Sequence, residues 1–228
     1  MCGIVGVVGN SNAVDILIQG LEKLEYRGYD SAGIYVTDAP DKGCLVKSVG
    51  RIADLRAKIS SDVKDNAHPH TSETGRFVLV HNGVIENYLQ IKEEYLQGHK
   101  FKGQTDTEIA VHLIGKFVDE DGLSVLEALK KSLHIIQGSY AFALVDSQAP
   151  DTIYVAKNKS PLLIGVGEGY NMVCSDAMAM IRETSQFMEI HDKELVVLTK
   201  DAITVTDYEG NAIERGTYTA ELDLSDIG

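Results

Sequence analysis

Strand-like runs lie towards both ends of this chain with helices clustered between them, and that order constrains the fold more than any single motif. Cys2 to Val8 is a short β-branched run that reads as a buried strand. Asn12 then reads as an N-cap, and Val14, Leu17, Ile18, Leu21 and Leu24 follow at helical spacing, predicting a helix to about Glu25. Strands are expected over Ala32–Val36 and Cys44–Val49, separated by the turn Ala39-Pro40-Asp41-Lys42-Gly43, and Ile52, Leu55 and Ile59 mark a second helix. Polar, irregular sequence from Ser60 to Gly75 leads into a strong strand, Arg76–His81, expected to stop at Asn82-Gly83. Helices are expected over Tyr88–Leu96, Thr105–Phe117 and Leu123–Ile136. Strands then dominate: Ser139–Val145, Ile153–Ala156, Leu162–Val166, Met172–Cys174, Leu195–Leu198 and Ile203–Thr206, with one or two helical turns at Asp176–Ile181. Strands and helices do not alternate one for one, which disfavours a doubly wound parallel sheet. The pattern predicts an α+β fold, with two mostly antiparallel sheets covered by helices on their outer faces.

Charge and composition narrow the partners. The 228 residues carry a formal net charge of −13, which argues against a surface for nucleic acid or an anionic membrane, since either needs a basic patch. No apolar run approaches the ~20 residues needed to cross a bilayer, and the apolar start has no basic residue before it, so it does not read as a signal peptide. The three cysteines, Cys2, Cys44 and Cys174, are far apart and show no C-x-x-C spacing, so a reducing cytoplasm is expected and Cys44 and Cys174 read as small buried hydrophobes.

Cys2 is singled out by its position. Methionine aminopeptidases remove Met when the next residue is small, which would leave Cys2 as the mature N-terminus. A thiol with a free pKa of ~8.5 is only a few per cent ionised at neutral pH. An α-amino group, with a reference pKa of ~7.7–8.0, is partly neutral there and can serve as its base. Taken alone, Cys2 is either that nucleophile or the first core residue of a strand.

Other candidates are equally two-sided. A side-chain amide followed by a glycine N–H, as in Asn82-Gly83, can aim two donors at an oxyanion, each worth ~3–4 kcal/mol in a transition state. An Asn-Gly turn ending a strand is the commoner use of that dipeptide, and on local sequence the turn is expected. His68 and His70, flanking Pro69, with His81 beyond, lack the ligand number and spacing of a zinc site, so no metal is assigned and a structural corner or ligand hydrogen bonding is expected. Arg27, within Glu25 to Gly33, is a surface helix-cap charge, a holder of a carboxylate, or a partner that favours a thiolate. Asp106, opening a helix, is a carboxylate placed for the helix dipole, an acceptor for a substrate ammonium, or both. Lys157-Asn158-Lys159-Ser160-Pro161 reads as a solvated basic turn. Gly165-Val166-Gly167-Glu168-Gly169 lacks the following helix and distal acidic residue of a nucleotide fingerprint, and no cofactor is assigned.

Taken together, Met1-Cys2-Gly3-Ile4-Val5-Gly6, Glu25 to Gly33, Asn66 to His70, Val80 to Asn87, Thr105 to Glu108, Ser175-Asp176 and Tyr218 to Leu222 closely resemble the N-terminal glutaminase domains of the glutamine–fructose-6-phosphate aminotransferase (glucosamine-6-phosphate synthase) family. Related N-terminal-nucleophile glutaminases, such as that of amidophosphoribosyltransferase, share the Cys start. The Tyr-Arg-Gly-Tyr-Asp-Ser-Ala-Gly and Asn-Ala-His-Pro-His strings favour the aminosugar family. The resemblance implies a four-layer αββα fold and hydrolysis of L-glutamine to glutamate and ammonia. Cys2 matches the nucleophile and its free amine the base, Asn82 and Gly83 the oxyanion hole, and Asp106 the acceptor for the glutamine α-amino group. Arg27 and His68 sit where the family keeps residues around the substrate.

Two departures accompany the resemblance. The chain ends at Gly228, where family members continue into a sugar-phosphate isomerase domain that binds fructose 6-phosphate; residues 1–228 are therefore expected to be a single glutaminase domain, of a full-length protein that dimerises. Val63-Lys64 also runs straight into Asp65-Asn66, where the family has a further strand and loop with a Gly-His-Thr-Arg-Trp-Ala-Thr-His-Gly type motif whose Arg holds the glutamine carboxylate. This sequence contains no Trp, so the motif has not moved elsewhere. A catalytically inactive glutaminase fold with a binding or regulatory role is the competing expectation.

Overall fold

The computed structural model describes residues 3–10, 12–28, 31–60 and 69–221. The chain enters through β1 (Val5–Val8) and α1 (Ala13–Leu24), whose Ile16, Leu17, Ile18, Leu21 and Leu24 are buried as the helical spacing requires. Asn12 holds the N-cap position without a side-chain cap hydrogen bond, and a 3-10 turn at Glu25–Arg27 follows, ended by Gly28 at φ 80°. The antiparallel pair β2 (Ser31–Val36) and β3 (Cys44–Val49) precedes α2 (Ile52–Ser60). Next come β4 (His70–Thr71), the long β5 (Phe77–Ile85), α3 (Tyr88–Tyr95), α4 (Asp106–Asp119) and α5 (Val125–Ile135). Ser124 and Glu127 form a reciprocal capping box that fixes the start of α5. The rest is strand: β6 (Gly138–Asp146), β7 (Ile153–Asn158), β8 (Leu163–Val166), β9 (Asn171–Cys174), β10 (Gln186–Glu189), β11 (Glu194–Leu198), β12 (Ile203–Asp207) and β13 (Tyr218–Thr219).

These strands form two antiparallel sheets, β1-β9-β8-β10-β13 and β12-β11-β7-β6-β5-β4, and a separate β2-β3 ribbon. Four apolar clusters hold them, one of which packs Ile34 and Val46 of the ribbon against Leu17, Ile18 and Leu21 of α1 and Leu55 of α2. Phe77, Leu79, Phe142 and Leu144 pack the larger sheet against Ile109, Leu113, Phe117 and Leu129 of α4 and α5. Ile4, Val8, Ala141, Ala143, Val155, Val173 and Val196 fill the space between the sheets. Ile16 and Leu24 of α1 cover the outer face of the smaller sheet over Met172, Cys174 and Phe187. Helix, sheet, sheet and helix therefore stack as the four layers expected.

Five features differ from the sequence reading. β5 does not stop at Asn82-Gly83 but runs through it to Ile85, paired throughout with β6. The stretch read as irregular ends in β4, which pairs His70 with Leu79 and Thr71 with Val78. β10 was missed because it lacks alternation: Phe187 packs under α1 and Met188 between the sheets, so both faces are buried. Cys44 is exposed, not buried, because it opens β3 at the free end of a two-stranded ribbon; Cys174 is fully buried and donates to the Asp176 carbonyl at 2.7 Å. The basic turn is also more than solvated surface, for Asp192 accepts from both Lys157 Nζ and the Lys159 N–H at 2.8 Å.

Candidate active site

Strand parity decides what faces what on β5. Phe77 and Leu79 point to the helices, whereas Val78 and Val80 line an apolar cavity of about 130 Å³ between the sheets, together with Gly3, Ile4 and Pro69. Asn82 falls on the Val78–Val80 face, opposite Ala141, which packs in the same layer as Ile4. It is thus on the side of the sheet to which the chain's start runs. His81 takes the other face, its ring tilted at 60° to that of Phe142 with centroids 5.0 Å apart.

Gly83 is required by geometry. Its φ is +125°, and a Cβ there would lie 2.2 Å from the carbonyl oxygen of Ser139 on β6. Gly138, across from Ile85 on β6, is similarly placed, with φ +116° and a Cβ that would come within 2.2 Å of the Val84 oxygen. These two glycines, two positions apart along the β5–β6 ladder where Gly83 faces Tyr140 and Gly138 faces Ile85, let the strands stay close while the backbone departs from ordinary strand geometry. The amides beyond Gly83 are then taken by side chains: Val84 donates to Ser139 Oγ at 3.1 Å and Ile85 to Asp106 Oδ2 at 2.8 Å.

Asp106 is the first residue of α4, after Thr105, whose hydroxyl caps the helix by accepting from the Glu108 N–H. Its second oxygen accepts from the Thr107 N–H at 2.9 Å. Both carboxylate oxygens are therefore fixed by backbone donors, one of them two residues from Gly83. The positive end of α4 lies beneath the charge. His81 Nδ1 meets Thr107 Oγ1 at 2.9 Å, and burial holds its pKa below the ordinary histidine value, against the opposing pull of Asp106 and of the Ser139 carbonyl.

The start of β1 is anchored to a residue 171 positions further along the chain. Ile4 donates to Ser175 Oγ at 3.1 Å, and the Ser175 N–H donates to the Ile4 carbonyl at 3.0 Å. Beside it, Asp176 accepts from Arg27 Nη2 at 2.9 Å and from the Tyr26 hydroxyl at 3.0 Å. Arg27 is thus a holder of a carboxylate, and that carboxylate is the protein's own Asp176. Cys2 and His68 lie outside the described residues. Among the predicted site residues, then, Asn82, Gly83 and Asp106 form one group at the end of β5, and Arg27 stands beside the entry to β1. Sequence reasoning passed over His81, Thr107 and Ser139 as neighbours of this group; the alternation of β5 was the signal for His81, once the strand was carried through Asn82.

A sequence profile described as "Glutamine amidotransferase domain" matches residues 1–212. The chain belongs to this family. Glutamine–fructose-6-phosphate aminotransferase (isomerizing) of Streptococcus pyogenes serotype M6 is 76% identical over 246 aligned positions, which cover 100% of this chain and 41% of that protein. The enzyme of the same name from Streptococcus pneumoniae is 73% identical over 245 positions, covering 100% of the chain and 40% of the relative. Among solved structures, the glutamine phosphoribosylpyrophosphate amidotransferase of Bacillus subtilis superposes with a TM-score of 0.77 at 26% identity, over 92% of this chain and 50% of that one. The chain spans about two-fifths of the length of the curated relatives it matches. The alignments exceed the chain's 228 residues, so these relatives carry residues that have no counterpart here. In this amidotransferase domain no helix among the described residues is long and apolar enough to cross a membrane.

Proposed function

We propose that this glutamine amidotransferase domain hydrolyses the side-chain amide of L-glutamine, with Cys2 as nucleophile once Met1 is removed. The Cys2 sulfur bonds to the amide carbon while its proton passes through the free α-amino group to the leaving nitrogen. The carbon–nitrogen bond breaks and ammonia departs. Water then adds to the thioester carbonyl, releasing glutamate and returning a proton to sulfur. Asn82 Nδ2 and the Gly83 N–H stabilise the oxyanion of each tetrahedral intermediate, and Asp106 binds the α-ammonium group of the substrate. Arg27 and His68 border the substrate.

The observation that carries this reading is Asn82-Gly83 held inside β5, with Asn82 on the face shared with Ile4 and with Asp106 bonded two residues beyond Gly83. A turn would have no need of these constraints. In a longer chain of the relatives' kind, we infer that the ammonia passes to fructose 6-phosphate on a C-terminal isomerase domain, giving glucosamine 6-phosphate in a cytoplasmic homodimer. The test is ammonia release from L-glutamine by protein whose mass shows a free Cys2. Cys2→Ala should abolish it, and an electrophilic glutamine analogue should label Cys2. A folded chain that neither releases ammonia nor takes the label would instead favour a binding or regulatory role, a reading supported by the residues its relatives have and it lacks.

A further inference from the structure

Away from β5, two histidines and a glutamate converge where the β4–β5 turn meets α4. His112, in the middle of α4, is only 2% exposed, and its Nδ1 lies 3.1 Å from Nδ1 of His99 in the loop after α3. The same His99 nitrogen is 2.8 Å from Glu73 Oε2, in the turn that leads into β5. One donor atom from each of the three residues lies within 4.8 Å of the other two.

The outer nitrogens are also engaged. His99 Nε2 is 2.9 Å from Glu120 Oε1, and His112 Nε2 faces the buried Glu108 carboxylate at 3.8 Å. Glu73 is steadied by the Lys100 N–H at 3.1 Å, and Glu108 by the N–H groups of Lys102 and Gly103 at 2.6 and 2.8 Å.

Proton counting shows what this arrangement lacks. The Glu120 carboxylate hydrogen-bonded at His99 Nε2 fixes the proton on that nitrogen and leaves Nδ1 bearing a lone pair, as in histidines that bind metals, and the Glu108 carboxylate 3.8 Å from His112 Nε2 favours the same tautomer there. Two such Nδ1 lone pairs and a carboxylate oxygen then point at one another, and neutral imidazoles cannot satisfy all three. A cation at their meeting point can. In a tetrahedral site with metal–nitrogen bonds of 2.0–2.1 Å, two nitrogens stand about 3.3 Å apart, close to the separation here. Imidazole with one carboxylate suits zinc and its neighbours in the first transition row.

We propose that Glu73, His99 and His112 bind one divalent transition-metal ion of the zinc class, with water completing the coordination at the partly exposed Glu73 side. Glu120 and Glu108 orient the two imidazoles. The ion would tie the β4–β5 turn and the α3–α4 loop to the helix that begins with Asp106. This site is separate from the glutamine chemistry and requires none of its residues.

The test is titration of the chelator-treated chain with Co²⁺, read by visible absorption, followed by displacement with Zn²⁺. One equivalent should bind with the intense bands of low-coordinate cobalt and no sulfur-to-metal charge transfer. Glu73→Gln, at an exposed turn residue, and His99→Gln, in a loop, should weaken binding by at least roughly tenfold while retaining the far-ultraviolet circular dichroism of the parent. No saturable binding would overturn the proposal. So would equal binding by His99→Gln, or a thiolate charge-transfer band, which would move the metal to a cysteine. Imidazole ¹⁵N spectra give an independent readout. Zn²⁺ should shift the Nδ1 signals of His99 and His112, and a doubly protonated His99 indifferent to Zn²⁺ would assign the central cation as a proton.

Discussion

Gly83→Ala isolates the strain at the centre of the candidate site. Placing an L side chain in a backbone region that only glycine occupies freely costs about 1–3 kcal/mol. Steric overlap adds to this at φ +125°, because the new methyl carbon would lie 2.2 Å from the Ser139 oxygen, 2.7 Å from its carbonyl carbon and 3.0 Å from the Tyr140 Cα. All three are backbone atoms of β6, and the nearest is about 1 Å inside ordinary contact distance. Relief therefore means parting the β5–β6 pair, at a cost of about 0.5–1.5 kcal/mol for each ladder hydrogen bond lost. The expected loss is roughly 3–5 kcal/mol, a large share of the ~5–15 kcal/mol that holds a domain together.

Gly98→Ala is the control. Its φ is +86°, but nothing lies within 4 Å of the added carbon, so only the conformational cost of about 1–2 kcal/mol applies. Urea unfolding at 25 °C should therefore show Gly83→Ala losing at least twice as much stability as Gly98→Ala. For a chain of this size the Gly83→Ala loss corresponds to a Tm lowered by roughly 6–15 °C. In ammonia-release assays at a temperature where the variant is folded, kcat should fall by up to roughly 10²–10³, the usual effect of losing one oxyanion donor, because the N–H that alanine retains is turned out of line as the β5–β6 pair parts. Equal stability losses in the two variants would refute the close approach to Ser139. An unchanged kcat in folded Gly83→Ala would remove Gly83 from the oxyanion hole.

Two further perturbations address neighbouring groups. Asp106→Asn keeps one acceptor oxygen but turns an amide N–H₂ towards the Ile85 or Thr107 donor, losing a charge-assisted hydrogen bond worth about 1.5–3 kcal/mol; KM for glutamine should rise at least tenfold with a smaller change in kcat, and an unchanged KM would exclude Asp106 from binding the α-ammonium. His81, buried beside Asp106 and the Ser139 carbonyl, has its folded pKa lowered, so below the ordinary value of ~6.5 the unfolded chain binds more protons and stability declines as pH falls. The stability difference between pH 7.5 and 5.5 should shrink in His81→Gln, and an undiminished difference would assign the pH dependence to other groups.

What could be read from sequence was what is encoded locally. Helical spacing located α1 and α4, and a β-branched run located β1, because each pattern is complete within a few residues. The partners of the site residues are not encoded that way. Arg27 meets Asp176 from 149 residues away and Ile4 meets Ser175 from 171, and no periodicity connects either pair. His99 and His112, only 13 apart, were equally invisible, since one lies in a loop and the other on the buried side of α4.

Asn82-Gly83 is where local and distant information meet. Read locally, the dipeptide ends a strand; read with its distant partners Ala141 and Tyr140 on β6, it continues one. The difference is chemical as well as topological. If the strand stopped at His81, nothing would fix the direction of the Asn82 side chain. Because the strand continues, the two-residue alternation that sends Val78 and Val80 towards Ile4 also sends Asn82 there, and His81 to the helices. The strain at Gly83 thus has a positional consequence: it lets the chain keep strand parity up to the residue proposed to face the nucleophile, and depart from strand geometry immediately after it. A glycine at this position is therefore a requirement of the proposed chemistry, and not merely of the fold.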